Sequence, residues 1–208
     1  MKKALHDILA GIGGGRGVSV LLLGARAIAY RMHSGGNGGA DPAAFALSAE
    51  LSWEAPQELG EAFRRHLDSQ GARARRADVV LVPPDWTALR TVQLPPATEA
   101  GLVEGMVTTA AEEAFAERPD DLAYAYQAAR SAEGVAASVF ACPREQMARV
   151  RAFLTAAGLS ARHVVPGSAA VAASLTGGAP EALIALAGAQ ELSLLVCADG
   201  RCLWQRSV

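Results

Sequence analysis

The stretch that most constrains this chain is Ala182–Gly200, ALIALAGAQELSLLVCADG. An apolar run ends at Ala187-Gly188, a short polar turn follows, and a second apolar run closes at Asp199-Gly200. The pattern predicts strand, tight turn, strand, with Arg201–Arg206 as a third strand after another turn. Val18–Met32, VSVLLLGARAIAYRM, has the same build: apolar strand, Leu-x-Gly, small polar turn, apolar strand. Two such hairpins, one near each end of the chain, predict a two-lobed fold built from similar halves.

Between the hairpins the periodicity changes repeatedly. Phe45–Trp53 alternates apolar and polar residues, which predicts a strand with one buried face. Ala55–Ser69 carries Leu59, Phe63 and Leu67 at four-residue spacing and reads as an amphipathic helix stopped at Gly71. Asp78–Val82 is a continuous apolar strand of the kind found in the middle of a covered sheet. Strand-strand-strand-helix-strand predicts an antiparallel meander joined by a crossover helix to a parallel strand. This is how a ribonuclease H-like or actin-like lobe opens.

Pro83-Pro84 then marks a boundary. Beyond it the sequence predicts a strand at Thr87–Leu94 and a helix at Glu99–Ala116 buried through Leu102, Met106, Val107, Ala110 and Ala114. Strands follow at Leu122–Ala129 and Val135–Ala141, a helix at Arg144–Ala157 and a short strand at Arg162–Val165. Residues 86–165 therefore read as one self-contained α+β unit, hinged at Pro83-Pro84 and near Pro166-Gly167. Gly167–Leu175 is a small-residue helix that returns to the second hairpin.

Several function classes are excluded by what the chain lacks. A net charge of −2 argues against a nucleic-acid partner, and the basic run Arg73–Arg76 reads as a solvated strand entrance. No stretch reaches the ~18–20 apolar residues of a membrane span. Lys2 and Lys3 precede an apolar segment, but His6 and Asp7 interrupt it, so Ala4–Ile12 reads as an N-terminal helix of a soluble protein. Gly13–Gly17 precedes a strand and lacks a following lysine, which makes it a linker and not a phosphate loop. Cys142, Cys197 and Cys202 have no CxxC spacing and read as reduced core thiols of a cytosolic protein. His6, His33, His66 and His163 fall in four separate elements, so no metal is expected. Glu112, Glu113 and Glu117 read as solvated charge, and Ser168 lacks a nucleophile elbow.

With these segments in view, the chain resembles the actin-like family of bacterial assembly proteins. It is similar to the type IV pilus assembly protein PilM and the cytoplasmic part of the type II secretion L protein, and more distantly to the division protein FtsA. The resemblance is carried by Leu22-Leu23-Gly24, Val79–Pro96, Arg151–Val165 and Leu183–Arg206. It implies an α/β fold: an actin-like lobe over residues 1–85, an inserted small α+β subdomain over 86–165, and an incomplete second lobe over 166–208. Family members that bind ATP carry Asp-x-Gly at both hairpins, where the acid organises metal and water around the phosphates. Here the acids are replaced by Leu22 and Leu186 while Gly24 and Gly188 remain. The resemblance thus implies degenerate phosphate turns, no cofactor and no enzymatic activity, with Leu22 and Leu186 both largely buried.

The implied role is a cytoplasmic scaffold of a pilus or secretion platform, peripheral to the inner membrane. Its expected partners are the cytoplasmic tail or domain of an inner-membrane protein and the motor ATPase. Trp86 and Arg90, just after the proline break, are the candidate partner-binding residues. The alternative is an actin-like ATP-binding protein, an ATPase or sugar-kinase relative, although Asp85 and Asp199 sit at the wrong ends of their strands. A last sheet with an open apolar face (Leu183, Leu192, Leu194, Val196 and Leu203) also suggests a homodimer.

Overall fold

The structure, a computed structural model, describes residues 19–31, 43–48, 50–71, 76–95, 102–115, 119–131, 134–174, 181–187, 192–198 and 200–207. The expected N-terminal helix, the Gly13–Gly17 linker, the Ser34–Asp41 loop, Gly188 and Asp199 lie outside them. The chain divides into two compact units: Gly14–Pro83 with Glu145–Val165, and Pro84–Arg144 with Pro166–Val208.

The first unit is built on a five-stranded sheet. Its strands are β1 (Val20–Leu22), β2 (Ala27–Arg31), β3 (Ala43–Ala46), β4 (Arg76–Val82) and β8 (Ser160–Pro166). Their order is β3-β2-β1-β4-β8. β1 pairs antiparallel with β2 and parallel with β4, and β2 pairs antiparallel with β3. The meander and parallel crossover expected from the sequence are therefore present. Helix α1 (Pro56–Ser69) starts with a proline in its first turn, where the missing N–H is harmless. It buries Leu59, Phe63 and Leu67 completely. The expected strand over Phe45–Trp53 is shorter than its alternation suggested. After Ala46 the chain turns, the Ser48 and Ser52 hydroxyls accept from the backbone N–H groups of Leu51 and Glu54, and Trp53 goes into the core.

Helix α3 (Arg144–Ala156) buries Val150, Phe153 and Leu154. Phe153 stacks near Phe63 at 5.5 Å and near Trp53 at 5.2 Å between ring centroids. At Gly60 a Cβ would lie 2.4 Å from the Phe153 carbonyl oxygen, so only glycine lets α1 and α3 approach this closely.

This arrangement corrects the expected unit over residues 86–165. Its last quarter, Glu145–Val165, belongs with the first unit, because β8 joins the five-stranded sheet next to β4 and α3 packs on α1. The expected layout treated neighbours in sequence as neighbours in space.

The second unit contains two three-stranded sheets. In one, β7 (Gly134–Pro143) lies between β5 (Ala88–Leu94) and β6 (Leu122–Ser131), antiparallel to both. Helix α2 (Val103–Ala114) covers one face, placing Val103, Val107 and Ala111 against Leu94, Leu122, Val135, Val139 and Ala141. The buried stripe is thus one residue out of phase with expectation: Leu102 precedes the helix and is 57% exposed. In the other sheet β10 (Leu192–Ala198) lies between β9 (Glu181–Ala187) and β11 (Arg201–Ser207), antiparallel to both. Helix α4 (Gly167–Ser174) is small-residue on every side and buries Ser168, Ala169, Ala172 and Ala173.

Side-chain hydrogen bonds join β11 and α4 to the face of β5-β7-β6 opposite α2. Gln127 Nε2 donates to the carbonyls of Ala169 and Gly200, and its Oε1 accepts from the Cys202 N–H. Arg201 donates to the Ala136 carbonyl, and the Thr91 hydroxyl to that of Leu203.

Candidate functional site

The β1–β2 turn is the first of the two expected phosphate turns. In β1, Leu21 is fully buried and Leu23, just beyond, is 1% exposed, whereas Leu22 is 43% exposed. Alternation along a strand forces this: two neighbours of an inward residue must face the other way. The expected burial of Leu22 is therefore wrong. Gly24 is held on two sides. A Cβ there would sit 2.9 Å from the Ala27 carbonyl oxygen, and the Trp53 indole N–H donates to the Gly24 carbonyl at 2.9 Å. The alternation of Phe45–Trp53 puts Trp53 at the end of a strand, whereas its single ring N–H, a donor that needs an acceptor when buried, signals the place it takes here.

Leu186 lies on β9 in the other unit, paired with Ser193, and is half-buried, so it too is less enclosed than expected. Gly188 is outside the described residues. Neither leucine side chain offers an oxygen to a metal, and the described residues hold no group of three or more His, Cys, Asp or Glu side chains arranged for one.

Trp86 and Arg90 are the candidate partner-binding residues. Trp86 ends a short 3-10 turn, Pro84–Trp86, and is half-buried. That turn is tied down: Thr87 donates through both its N–H and its hydroxyl to the Pro84 carbonyl. Gln205 of β11 reinforces it, its Nε2 donating to the Pro84 and Thr87 carbonyls and the Thr87 hydroxyl while Oε1 accepts from Ser168. Nothing in RCLWQR distinguishes a clamp at Gln205 from a solvated strand residue. Arg90 is exposed on β5, on the same face as Val92 and Leu94. Its guanidinium sits 5.6 Å from the centre of the Phe115 ring and donates to its neighbour's carbonyl, that of Leu89. The structure thus places Arg90 beside an aromatic ring at the edge of the α2-covered face.

No family model matches the sequence, and no curated protein matches it. Among solved structures, the chain is similar to the PilM-PilN type IV pilus biogenesis complex. The TM-score is 0.75 with 22% identity, over 93% of this chain and 61% of that one. It is also similar to the cytoplasmic domain of EpsL, an inner-membrane component of the type II secretion system of Vibrio cholerae. There the TM-score is 0.61 with 19% identity, over 92% of this chain and 70% of that one. The fold is actin-like.

Within this actin-like fold the chain spans less than two thirds of the PilM-PilN chain that it matches. No described helix is long and apolar enough to cross a membrane.

Proposed function

We propose that this chain is a non-catalytic component of a type IV pilus or type II secretion assembly platform. In this reading it sits on the cytoplasmic face of the inner membrane by binding the cytoplasmic segment of a membrane partner. The fold shared with the PilM-PilN complex supports the setting. The observation that carries the non-catalytic part is the hydrocarbon at both turn positions, Leu22 exposed and Leu186 half-exposed, where ATP-binding relatives place a carboxylate. An open leucine neither coordinates magnesium nor orients an attacking water. Trp86, on a turn pinned by Gln205, and Arg90, ordered over Phe115, are the proposed anchors for the partner segment. Both present large contact area whose ordering is already met in the free protein.

Calorimetric titration tests this reading against the ATP-binding alternative. The ligands are Mg-ATP and a synthetic peptide copying the cytoplasmic segment of a single-span membrane protein encoded beside this one. We expect micromolar peptide binding, weakened roughly tenfold or more by Trp86→Ala or Arg90→Ala, and no heat with Mg-ATP. Micromolar Mg-ATP binding without peptide binding would replace this proposal with the alternative. The motor ATPase is a further proposed partner, tested by co-elution with the purified chain.

A second copy of the chain is the proposed occupant of the outer face of β9-β10-β11. Cross-strand pairing puts Leu183, Val196 and Trp204 in one row, 73%, 36% and 43% exposed. Trp204, and not Leu203, belongs to that face. Glu181 and Arg206 stand at opposite corners on either side of Val196, pairing with Ala198 and Leu194. A two-fold axis in the plane of the face would set each Glu181 against the partner's Arg206. Light scattering should show a dimer that Arg206→Glu weakens and the double exchange with Glu181→Arg restores. A monomer at tens of micromolar would remove this part of the proposal.

A further inference from the structure

Cys197 and Cys202 are direct cross-strand partners on β10 and β11. Their neighbours Ala198 and Arg201 also pair, leaving two residues between them at the closed end of the hairpin. A two-residue loop is closed by a hydrogen-bonded pair, and hydrogen-bonded and non-hydrogen-bonded pairs alternate along an antiparallel ladder. The cysteines therefore occupy a non-hydrogen-bonded site, where Cα atoms approach to about 4.5 Å and side chains lie closest. The backbone is in keeping with this, because the Cys202 N–H donates to Gln127 Oε1. A disulfide requires Cα atoms about 4.4–6.8 Å apart with Cβ atoms facing, which this site supplies. Both thiols are free and buried, and each lies within side-chain hydrogen-bonding reach of the other. Cys202 Sγ also contacts the Trp204 carbonyl oxygen at 3.3 Å. The register shift between Val196 and Cys197 gives the ladder a place to give locally beside the pair. Cys142, by contrast, pairs with Ala123 and faces no cysteine across its strand.

We propose that Cys197 and Cys202 form a redox modification site: a dithiol that closes to a disulfide in the folded protein by exchange with a small-molecule disulfide. Cys197, 3% exposed against 0% for Cys202, is the sulfur reached first. As a thiolate it attacks one sulfur of the reagent, the reagent's S–S bond breaks, and one small thiolate leaves. Cys202 then loses its proton and attacks the Cys197 sulfur, expelling the second small thiolate. The two cysteine protons end on the two released small thiols, and the reagent is reduced by the two electrons that the cysteines give up. Burial pushes both thiols up, Cys202 to about 12, so the resting pair stays protonated and closure waits on local opening of the hairpin.

The test uses the full chain without denaturant, incubated with oxidised glutathione, quenched with acid, then unfolded and alkylated. The expected product is lighter by two hydrogen atoms, has Cys197 linked to Cys202, and leaves one thiol, Cys142, to alkylate. Cys142→Ser should close the same bridge, and Cys197→Ala should not. Three alkylatable thiols after prolonged incubation, a persistent mixed disulfide, a bridge through Cys142, or closure only after denaturant is added would each overturn the proposal.

Discussion

In the unit built on the five-stranded sheet, Phe63, Phe153, Trp53 and Tyr30 pack ring against ring and fill the interior by volume. In the other unit, β11 and α4 meet β5-β7-β6 through Gln127, Gln205, Ser168 and Thr91, hydrogen-bonded residues set among alanines and thiols. The first interior is specified by shape and the second by satisfied polar groups. Each therefore fails differently. Removing volume leaves a cavity, whereas removing one member of a polar set strands its buried partners.

The largest effect should come from the first interior. Phe63→Ala should destabilise by about 3–5 kcal/mol, read from urea unfolding, because the ring is fully buried between Tyr30 and Phe153. A loss under about 1.5 kcal/mol would mean the cluster collapses around the gap.

Alkaline pH should come next. Burial pushes Cys142 up to about 11 and Cys202 up to about 12, while thiols of the unfolded chain ionise near 8.5. The folded chain then keeps protons that the unfolded chain has released. Stability is full below about pH 8.5 and is lost as pH rises toward 11–12. Each pKa unit is worth about 1.4 kcal/mol, so Cys142 alone accounts for roughly 3 kcal/mol by pH 11. Urea unfolding at pH 8 and 10.5 should show a shallower decline for Cys142→Ala than for the parent; equal declines would contradict the assignment.

A third experiment sharpens the contrast between the units. Gln205→Ala removes the side-chain donor to the Thr87 carbonyl and the acceptor of the Ser168 hydroxyl, while the Pro84 carbonyl keeps its two bonds from Thr87, and should cost about 2 kcal/mol. Hydrogen exchange should quicken in β11 and around Thr87 while the amides of β1 and β4 keep their protection. Uniform quickening would mean that Gln205 supports the whole chain.

Smallest of all, Leu22→Asp should change stability by no more than about 0.5 kcal/mol, since the side chain already meets water. Leu186→Asp, half-buried, should cost more. Equal costs would show that exposure does not govern these turns.

The first unit was the more legible in sequence. Leu59, Phe63 and Leu67 repeat every four residues against charged neighbours, and only one helix face satisfies that spacing. In VLLLG three leucines run together, so the sequence shows a strand but not which leucines face inward. The same ambiguity shifted the α2 stripe from Val103 to Leu102. The place of β8 was illegible for another reason: pairing beside β4 is a long-range choice that no local pattern records. In the polar-joined unit, Gln127 and Gln205 look like surface residues until their partners, 42 and 121 positions away, are in place.

That β8 completes a sheet begun by β1 to β4 has a consequence for the chain as it is made. About eighty residues separate the end of β4 from β8, and a ribosome needs roughly 4–16 s to add them at about 5–20 residues per second. Throughout that interval the nascent chain carries β4 with one edge unpaired and α1 without α3 across Gly60. An apolar strand with an open edge is a binding site for other strands, so the nascent chain is a natural client for a holdase during these seconds.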